Sequence, residues 1–106
     1  MMKLSVKERF LIMGLLPHET NFSTLKVIRK FEEEVGFSEQ EIKDFEIKID
    51  DSQNYLWSIQ KETEMGEKET IIPEIIESLI KKNLRKLDEE EKLTQDHFTI
   101  CEKFGL

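Results

Sequence analysis

Two histidines and one cysteine are the side chains of this chain whose types most often serve catalysis or metal binding: His18, His97 and Cys101. The histidines lie far apart in sequence, and neither belongs to a metal-ligand pattern such as HExxH. Cys101 recurs with Phe98 and Phe104 on one face of a terminal helix, which is typical of a buried small hydrophobe. A single cysteine also excludes an internal disulfide and a cysteine-based zinc cluster. We predict no catalytic or metal site.

The sequence motifs that mark common enzymes do not occur in the chain. It has no P-loop, no GxSxG motif and no GxGxxG motif, and its four glycines are isolated. Acidic residues make up 23 of the 106 positions, so paired carboxylates indicate nothing without geometry. We therefore predict that the protein is not an enzyme and uses no cofactor.

A candidate partner-binding surface lies in the middle of the chain, where two aromatic residues stand among acids. Tyr55 and Trp57 either pack on the helices or present an anchor to a partner, since aromatic residues dominate interface hot spots. The acids are either a solvated face or a surface for a basic partner, such as a nucleic-acid-binding protein whose DNA site they would mimic. The candidate partner-binding residues are Asp50, Asp51, Tyr55, Trp57, Glu62 and Glu64.

The net charge of −7 is unevenly spread, with +1 on residues 1–36 and −8 on residues 37–106. An acidic protein repels phosphate backbones, so nucleic acid is not an expected partner. Residues 22–45 have the layout of a helix-turn-helix, but their second helix, 39–44, holds three acids and one lysine. A nucleic-acid-binding regulator stays open as an alternative only through one basic cluster. Its members are Lys81, Lys82, Arg85 and Lys86.

The length of 106 residues predicts one domain, 1–106, with its own core. No segment reaches the about eighteen apolar residues that cross a bilayer. The short apolar run 10–16 follows Glu8 and Arg9 and has no cleavage site after it, so it is interpreted as a core helix rather than a signal peptide. We expect no membrane partner and a cytoplasmic location.

Capping boxes predict two helix starts in the first half of the chain. The box Ser5–Glu8 predicts a helix over 6–13 that stops near Gly14. The box Ser38–Glu41 predicts a short helix over 39–44.

A further helix is predicted between these two, because apolar residues recur at helical spacing over 25–35. Thr20, Asn21 and Ser23 are all suitable caps for its start. Gly36 follows its end, and we expect this glycine in the left-handed conformation.

The pattern changes to alternation over 45–50 and 54–59, which predicts two strands joined as a hairpin by Asp51, Ser52 and Gln53. An isolated hairpin is marginal in water, so its apolar face must lie on helices. The charged segment 60–69 is expected to extend the second strand until Gly66 interrupts it.

The strongest helical periodicity follows the hairpin and predicts a long core helix. Its apolar stripe consists of Ile71, Ile72, Ile75, Ile76, Leu79, Ile80, Leu84 and Leu87. Pro73 is tolerated only in a first turn, so the helix is expected to begin at 71 or 72, with Thr70 as its cap. Thr94 is expected to cap a last helix that closes over the core through Phe98, Cys101 and Phe104.

In style and layout the chain resembles small bacteriophage and prophage proteins of Gram-positive bacteria. The segments that carry the resemblance are 4–9, 14–17, 24–29, 87–94 and 102–104. The resemblance assigns no activity to any residue. The predicted fold is α+β: a small helical domain with one β-hairpin packed on a long core helix.

The function we expect is that of a non-enzymatic phage accessory protein that acts by protein–protein contact. Its partner would be a host or phage protein, and in a sharper form of the hypothesis it inhibits a host or defence protein. If one edge of the long helix is not covered within the chain, a second copy would cover it, which leaves a homo-oligomer open. The alternative from another class is a small-ligand-binding protein or enzyme with a pocket between the hairpin and the long helix.

Overall fold

A computed structural model describes residues 2–106, which form an α+β fold of helices and short antiparallel strand pairs. The strands are β1 (Met2–Leu4), β2 (Lys48–Ile49), β3 (Tyr55–Leu56) and β4 (Lys68–Thr70). The helices are α1 (Val6–Leu15), α2 (Phe22–Val35), α3 (Glu39–Asp44), α4 (Ile59–Met65), α5 (Glu74–Glu89) and α6 (Phe98–Lys103), with a 3₁₀ turn at Gln95–His97. The predicted fold class is confirmed.

The long helix α5 lies at the centre of the core, as its periodicity predicts. Ile76, Ile80 and Leu84 are fully buried, and α5 packs on both α1 and α2. The buried cluster comprises Leu4, Ile12, Leu15, Leu16, Ile28, Phe31, Val35, Ile76, Ile80, Leu84, Ile100 and Phe104. The predicted stripe is wider than the face that is buried, because Ile71 and Ile75 keep 65% and 42% of their surface exposed.

The start of α5 is later than predicted. Pro73 has an extended ψ of 148° and stands before the first helical residue, Glu74, so Ile71 and Ile72 are not helical. Thr70, the expected cap, instead ends β4, where it is the partner of Met2. This pairing keeps the backbone extended up to Thr70 and delays the helix.

The antiparallel pair β1–β4 was not predicted, and it replaces the expected extension of the hairpin. Residues 59–65 are helical instead of extended, because the Ser58 hydroxyl accepts a hydrogen bond from Lys61 N and caps α4. Gly66, with φ of 74°, ends this helix. Only the interruption at Gly66 was predicted correctly.

Two glycines behave differently from their predicted roles as helix stops. α1 continues through Gly14 to Leu15 and ends there because Pro17 holds Leu16 in an extended conformation. Gly36 is extended rather than left-handed, with φ of −65° and ψ of 171°. It is required for space, since a Cβ there would lie 2.7 Å from the Glu32 carbonyl oxygen.

The hairpin is present but shorter than predicted. Ile49 lies opposite Tyr55 and Lys48 opposite Leu56. Its first strand begins only at Lys48, because α3 is followed by a turn in which Glu46 has a φ of 54°. The helix α3 itself has the predicted bounds.

The C-terminal helix turns a different face to the core than predicted. Phe98 is 58% exposed, whereas Ile100 and Phe104 are buried and Cys101 is half-buried. Ile100 and Phe104 are four residues apart and share a helix face, while Phe98 points away from it. The prediction for Phe98 was therefore wrong.

Candidate partner-binding surface

The two hairpin aromatics pack on α1 while remaining accessible. The Phe10 ring lies 4.6 Å from Tyr55, 5.4 Å from Trp57 and 4.6 Å from Phe37, measured between ring centroids. Tyr55 nevertheless keeps 51% of its surface exposed. The two interpretations left open by the sequence are thus compatible for Tyr55: one part of it packs on a helix and the other part faces solvent.

A buried arginine fixes the segment beneath this aromatic cluster. Arg9 is 1% exposed and donates to Val35 O (2.9 Å), to Gly36 O (2.6 Å) and to both carboxylate oxygens of Glu41 (2.6 and 3.1 Å). Its guanidinium carbon lies 3.9 Å from the centre of the Phe37 ring. The hydrogen bond from Arg9 holds the pKa of Glu41 below its usual value. Arg9 therefore joins α1, the end of α2 and α3.

Four apolar side chains on the hairpin and α4 face solvent. They are Ile49, Tyr55, Leu56 and Ile59. Ile59 is the most exposed of them, at 74%. We call these four residues, together with Asp50, Asp51, Glu62 and Glu64, the hairpin–α4 surface. Ile49 and Tyr55 are cross-strand partners on one face of the hairpin, whereas Leu56 points to its other face.

The four predicted acids differ in what they do on this surface. Asp50 Oδ1 accepts hydrogen bonds from the backbone N–H groups of Ser52 and Asn54, both at 2.9 Å, and so shapes the hairpin turn. Glu62 accepts the Trp57 indole N–H and holds that ring in place. Asp51 and Glu64 are exposed, although Glu64 also accepts a hydrogen bond from the Gln60 amide at 3.2 Å and lies 3.9 Å from Lys61 Nζ. Asp51 and Glu64 are therefore the acids best placed to meet a partner.

The surroundings of this surface are strongly acidic. Residues 44–69 contain eight acidic and three basic side chains, a net charge of −5 in a protein whose total is −7. Of the six predicted site residues, the structure places all in or directly after the hairpin. The sequence did not indicate that Leu56 and Ile59 belong with them. Their exposure depends on α4 turning away from the hairpin, which the predicted strand did not allow.

A second charged network lies on the other side of α1. Glu8 is 3% exposed, and its Oε1 accepts hydrogen bonds from Ser5 N (2.9 Å) and Lys103 Nζ (2.7 Å). Lys103 also donates to Glu67 Oε2 at 2.5 Å. Burial alone would raise the pKa of Glu8, but the hydrogen bonds from Lys103 and Ser5 oppose it, and the pKa is lowered. Glu8 is thus a buried carboxylate.

This network forms the floor of an open cleft of about 600 Å³ between α1, α4 and α6. Trp57, Ile59 and Glu62 line it from the side of the hairpin, and Thr99 and Lys103 from α6. The alternative function predicted a pocket between the hairpin and the long helix. The cleft adjoins the hairpin end, but its opposite wall is α6 rather than α5.

The conventional catalytic side chains lie away from this surface. His18 is exposed, and His97 Nδ1 lies 3.1 Å from Thr94 N, where it closes the cap of the 3₁₀ turn. Burial raises the pKa of the Cys101 thiol, which disfavours the reactive thiolate. Among residues 2–106, no three histidine, cysteine or acidic side chains converge as metal ligands.

The chain matches no protein-family model, no curated protein and no solved structure. Within the described part of the chain, none of the helices has both the length and the apolar character needed to cross a membrane.

Proposed function

We propose that this protein is a non-enzymatic, phage-encoded accessory protein that binds a basic protein partner in the cytoplasm of the host cell through its hairpin–α4 surface. The observation that carries the proposal is the exposure of Ile49, Tyr55, Leu56 and Ile59 within a segment whose net charge is −5. The phage origin rests on the resemblance of the sequence alone.

The chemistry of the surface supports a protein partner. Apolar side chains supply the buried centre of an interface, and charges around them steer the partner and set the register. The Trp57–Glu62 hydrogen bond and the stacking of Tyr55 on Phe10 hold the aromatic part in one conformation. A surface that is ordered before binding loses less conformational entropy when the partner arrives.

The acidic character supports the sharper form of this function, inhibition of a host or defence protein. A basic groove that normally holds a nucleic-acid backbone attracts a surface of opposite charge. An inhibitor of this kind would cover the partner's basic residues and compete with nucleic acid.

The charge requirement can be tested by affinity capture. Tagged protein is incubated in lysate of a Gram-positive bacterium, and retained proteins are identified by mass spectrometry. The double variant Asp51→Lys/Glu64→Lys is expected to retain much less of the wild-type partner, because it reverses two exposed charges on the surface. The matched control is Glu32→Lys/Glu33→Lys on α2, which changes the net charge equally and favours the helix dipole.

Retention by the control but not by the hairpin variant is the expected result. Equal retention by all three proteins would contradict a role for the acidic surface. The absence of any partner specific to the wild type would contradict the proposed function itself.

A separate feature favours self-association as an additional property. Ile71 and Pro73, in the segment before α5, border an open groove of about 350 Å³ whose other wall includes Lys30 and Glu34 on α2. These two charges lie one helical turn apart. A twofold arrangement with the two α2 helices antiparallel would place Lys30 of one copy opposite Glu34 of the other, which is the sense in which the groove suits a second copy.

A light-scattering mass tests this property. We expect twice the chain mass of 12.6 kDa for the wild type and a single-chain mass for Ile71→Lys/Ile75→Lys, since charge in the groove prevents close contact. The control Phe22→Lys changes an exposed apolar side chain at the start of α2, which is 71% exposed against 65% for Ile71. A monomeric wild type would contradict self-association and leave the hairpin–α4 surface unaffected.

A further inference from the structure

The cleft between α1, α4 and α6 contains a charged oxygen atom without a hydrogen-bond partner. Glu8 Oε2 is buried and receives no hydrogen bond within the described chain. The side chain of Glu8 is 4% exposed, so bulk water does not hydrate it freely. Leaving a buried carboxylate oxygen unsatisfied is costly, which indicates that a donor from outside the chain completes the site.

The obvious donor inside the chain is fully used. Lys103 Nζ contacts Lys3 O at 2.5 Å, Glu8 Oε1 at 2.7 Å and Glu67 Oε2 at 2.5 Å. An ammonium group has three N–H donors, and these three acceptors account for all of them. The Thr99 hydroxyl contributes to lowering the pKa of Glu8, yet it makes no hydrogen bond to Oε2.

The remaining walls of the cleft suit a cation with an aliphatic stem. Trp57 and Ile59 provide apolar surface, and an aromatic face attracts cations. Glu62 adds a second carboxylate. The other cation at the rim, Lys7, is paired with Asp96 at 2.5 Å. With Lys7 and Lys103 both engaged, the cleft presents unbalanced negative charge to a ligand.

We propose that this cleft binds a primary alkylammonium group. Its N–H groups donate hydrogen bonds to Glu8 Oε2 and to the Glu62 carboxylate, and its alkyl stem lies against Trp57 and Ile59. The group can come from a free alkylamine or from a lysine side chain of a protein. Because Glu8 Oε2 is buried in the absence of a ligand, binding requires a side-chain movement that opens it to the cleft. The proposal does not depend on the partner contact, since a free amine can fill the cleft.

The test is a titration followed by amide and indole ¹H–¹⁵N NMR. The probes are n-butylammonium and Nα-acetyl-lysine amide. The controls are n-butyltrimethylammonium, which has the charge and stem but no N–H donor, and neutral n-butanol. We expect saturable shifts at the Trp57 indole and at Thr99 and Lys103, with a Kd of about 1 mM for a ligand of this size.

Two variants assign the interaction to the carboxylates. Glu62→Gln lies on the surface and keeps an acceptor for Trp57, so the fold is retained and the affinity is expected to fall severalfold. Glu8→Gln preserves a capping residue but can place an amide N–H where the acceptor Oε2 stands. We therefore expect the affinity for the ammonium probes to fall about tenfold or more. If Glu8→Gln does not fold, the affinity of Glu62→Gln for the ammonium probes still tests whether a carboxylate binds them.

The titrations either support or overturn binding of an amine in the cleft. Binding of both probes supports the site, and binding of the lysine derivative alone supports it while assigning the group to a protein lysine. No saturable shift with either probe would overturn the proposal. Equal binding of n-butyltrimethylammonium, or unchanged affinity in the carboxylate variants, would overturn it as well.

Discussion

Replacing Arg9 with alanine is expected to lower the free energy of unfolding by about 3–5 kcal/mol, the range observed when one partner of a buried ion pair is removed. The substitution leaves the carbonyls of Val35 and Gly36 without the donors that now reach them at 2.9 and 2.6 Å. It also removes the guanidinium from Glu41 and from the Phe37 ring. Urea denaturation measures the change.

Two further variants separate geometry from charge at this position. Arg9→Lys retains the charge but not the planar donor fork, so it is expected to recover only part of the stability. Arg29→Ala removes an exposed arginine from α2 and should change the stability by less than about 0.5 kcal/mol. A loss for Arg9→Ala as small as that for Arg29→Ala would show that the network does not hold α1, α2 and α3 together.

Replacing Ile80 with alanine is expected to cost about 2–5 kcal/mol, because the side chain is fully buried at the centre of the core and a cavity remains. The matched control is Ile75→Ala on the same helix, where 42% of the side chain is already exposed. Alanine is also the better helix former, so this control should cost less than about 1 kcal/mol.

The comparison is made by thermal and chemical denaturation of both variants. Both variants are compared at a protein concentration at which light scattering gives a single-chain mass, and equal losses there would contradict the burial of Ile80 and the partial exposure of Ile75. The pair therefore tests the orientation of α5 as well as its place in the core.

Local signals in the sequence were sufficient for several elements. The hydroxyls of Ser5 and Ser38 accept hydrogen bonds from Glu8 N and Glu41 N, as their capping boxes predict. The apolar periodicity identified α5 as the core helix, and alternation identified the hairpin. Each of these signals depends on residues within a few positions of each other.

Other features depend on contacts between distant segments, and the sequence did not reveal them. β1 pairs with β4 across more than 60 residues, with Met2 opposite Thr70, and no local pattern links two three-residue strands. The buried state of Arg9 depends on the carbonyl groups of Val35 and Gly36, which only the fold brings to it. Arg9 follows Glu8 near the start of α1, and an arginine in such a position is ordinarily expected at the surface.

The six residues named as a partner-binding site stay a prediction, and the structure shows only where they lie. All six residues named from the sequence lie in or directly after the hairpin, but Asp50 and Glu62 are engaged in shaping the turn and orienting Trp57. The apolar part of the surface required knowledge of α4. Ile59 is 74% exposed because the chain turns into a helix there. In an extended strand it would have shared the face of Tyr55 and Trp57.

Binding of the captured partner at the hairpin–α4 surface is measured by calorimetric titration with surface variants. Leu56→Asp/Ile59→Asp places two charges among the exposed apolar side chains, and we expect its affinity to fall about 100-fold or more. The control Phe22→Asp makes the same kind of change at a side chain of nearly equal exposure, 71% against 74% for Ile59. It should alter the affinity by less than about threefold. Unchanged affinity of the double variant, or an equal loss in the control, would show that the partner does not bind at the hairpin–α4 surface.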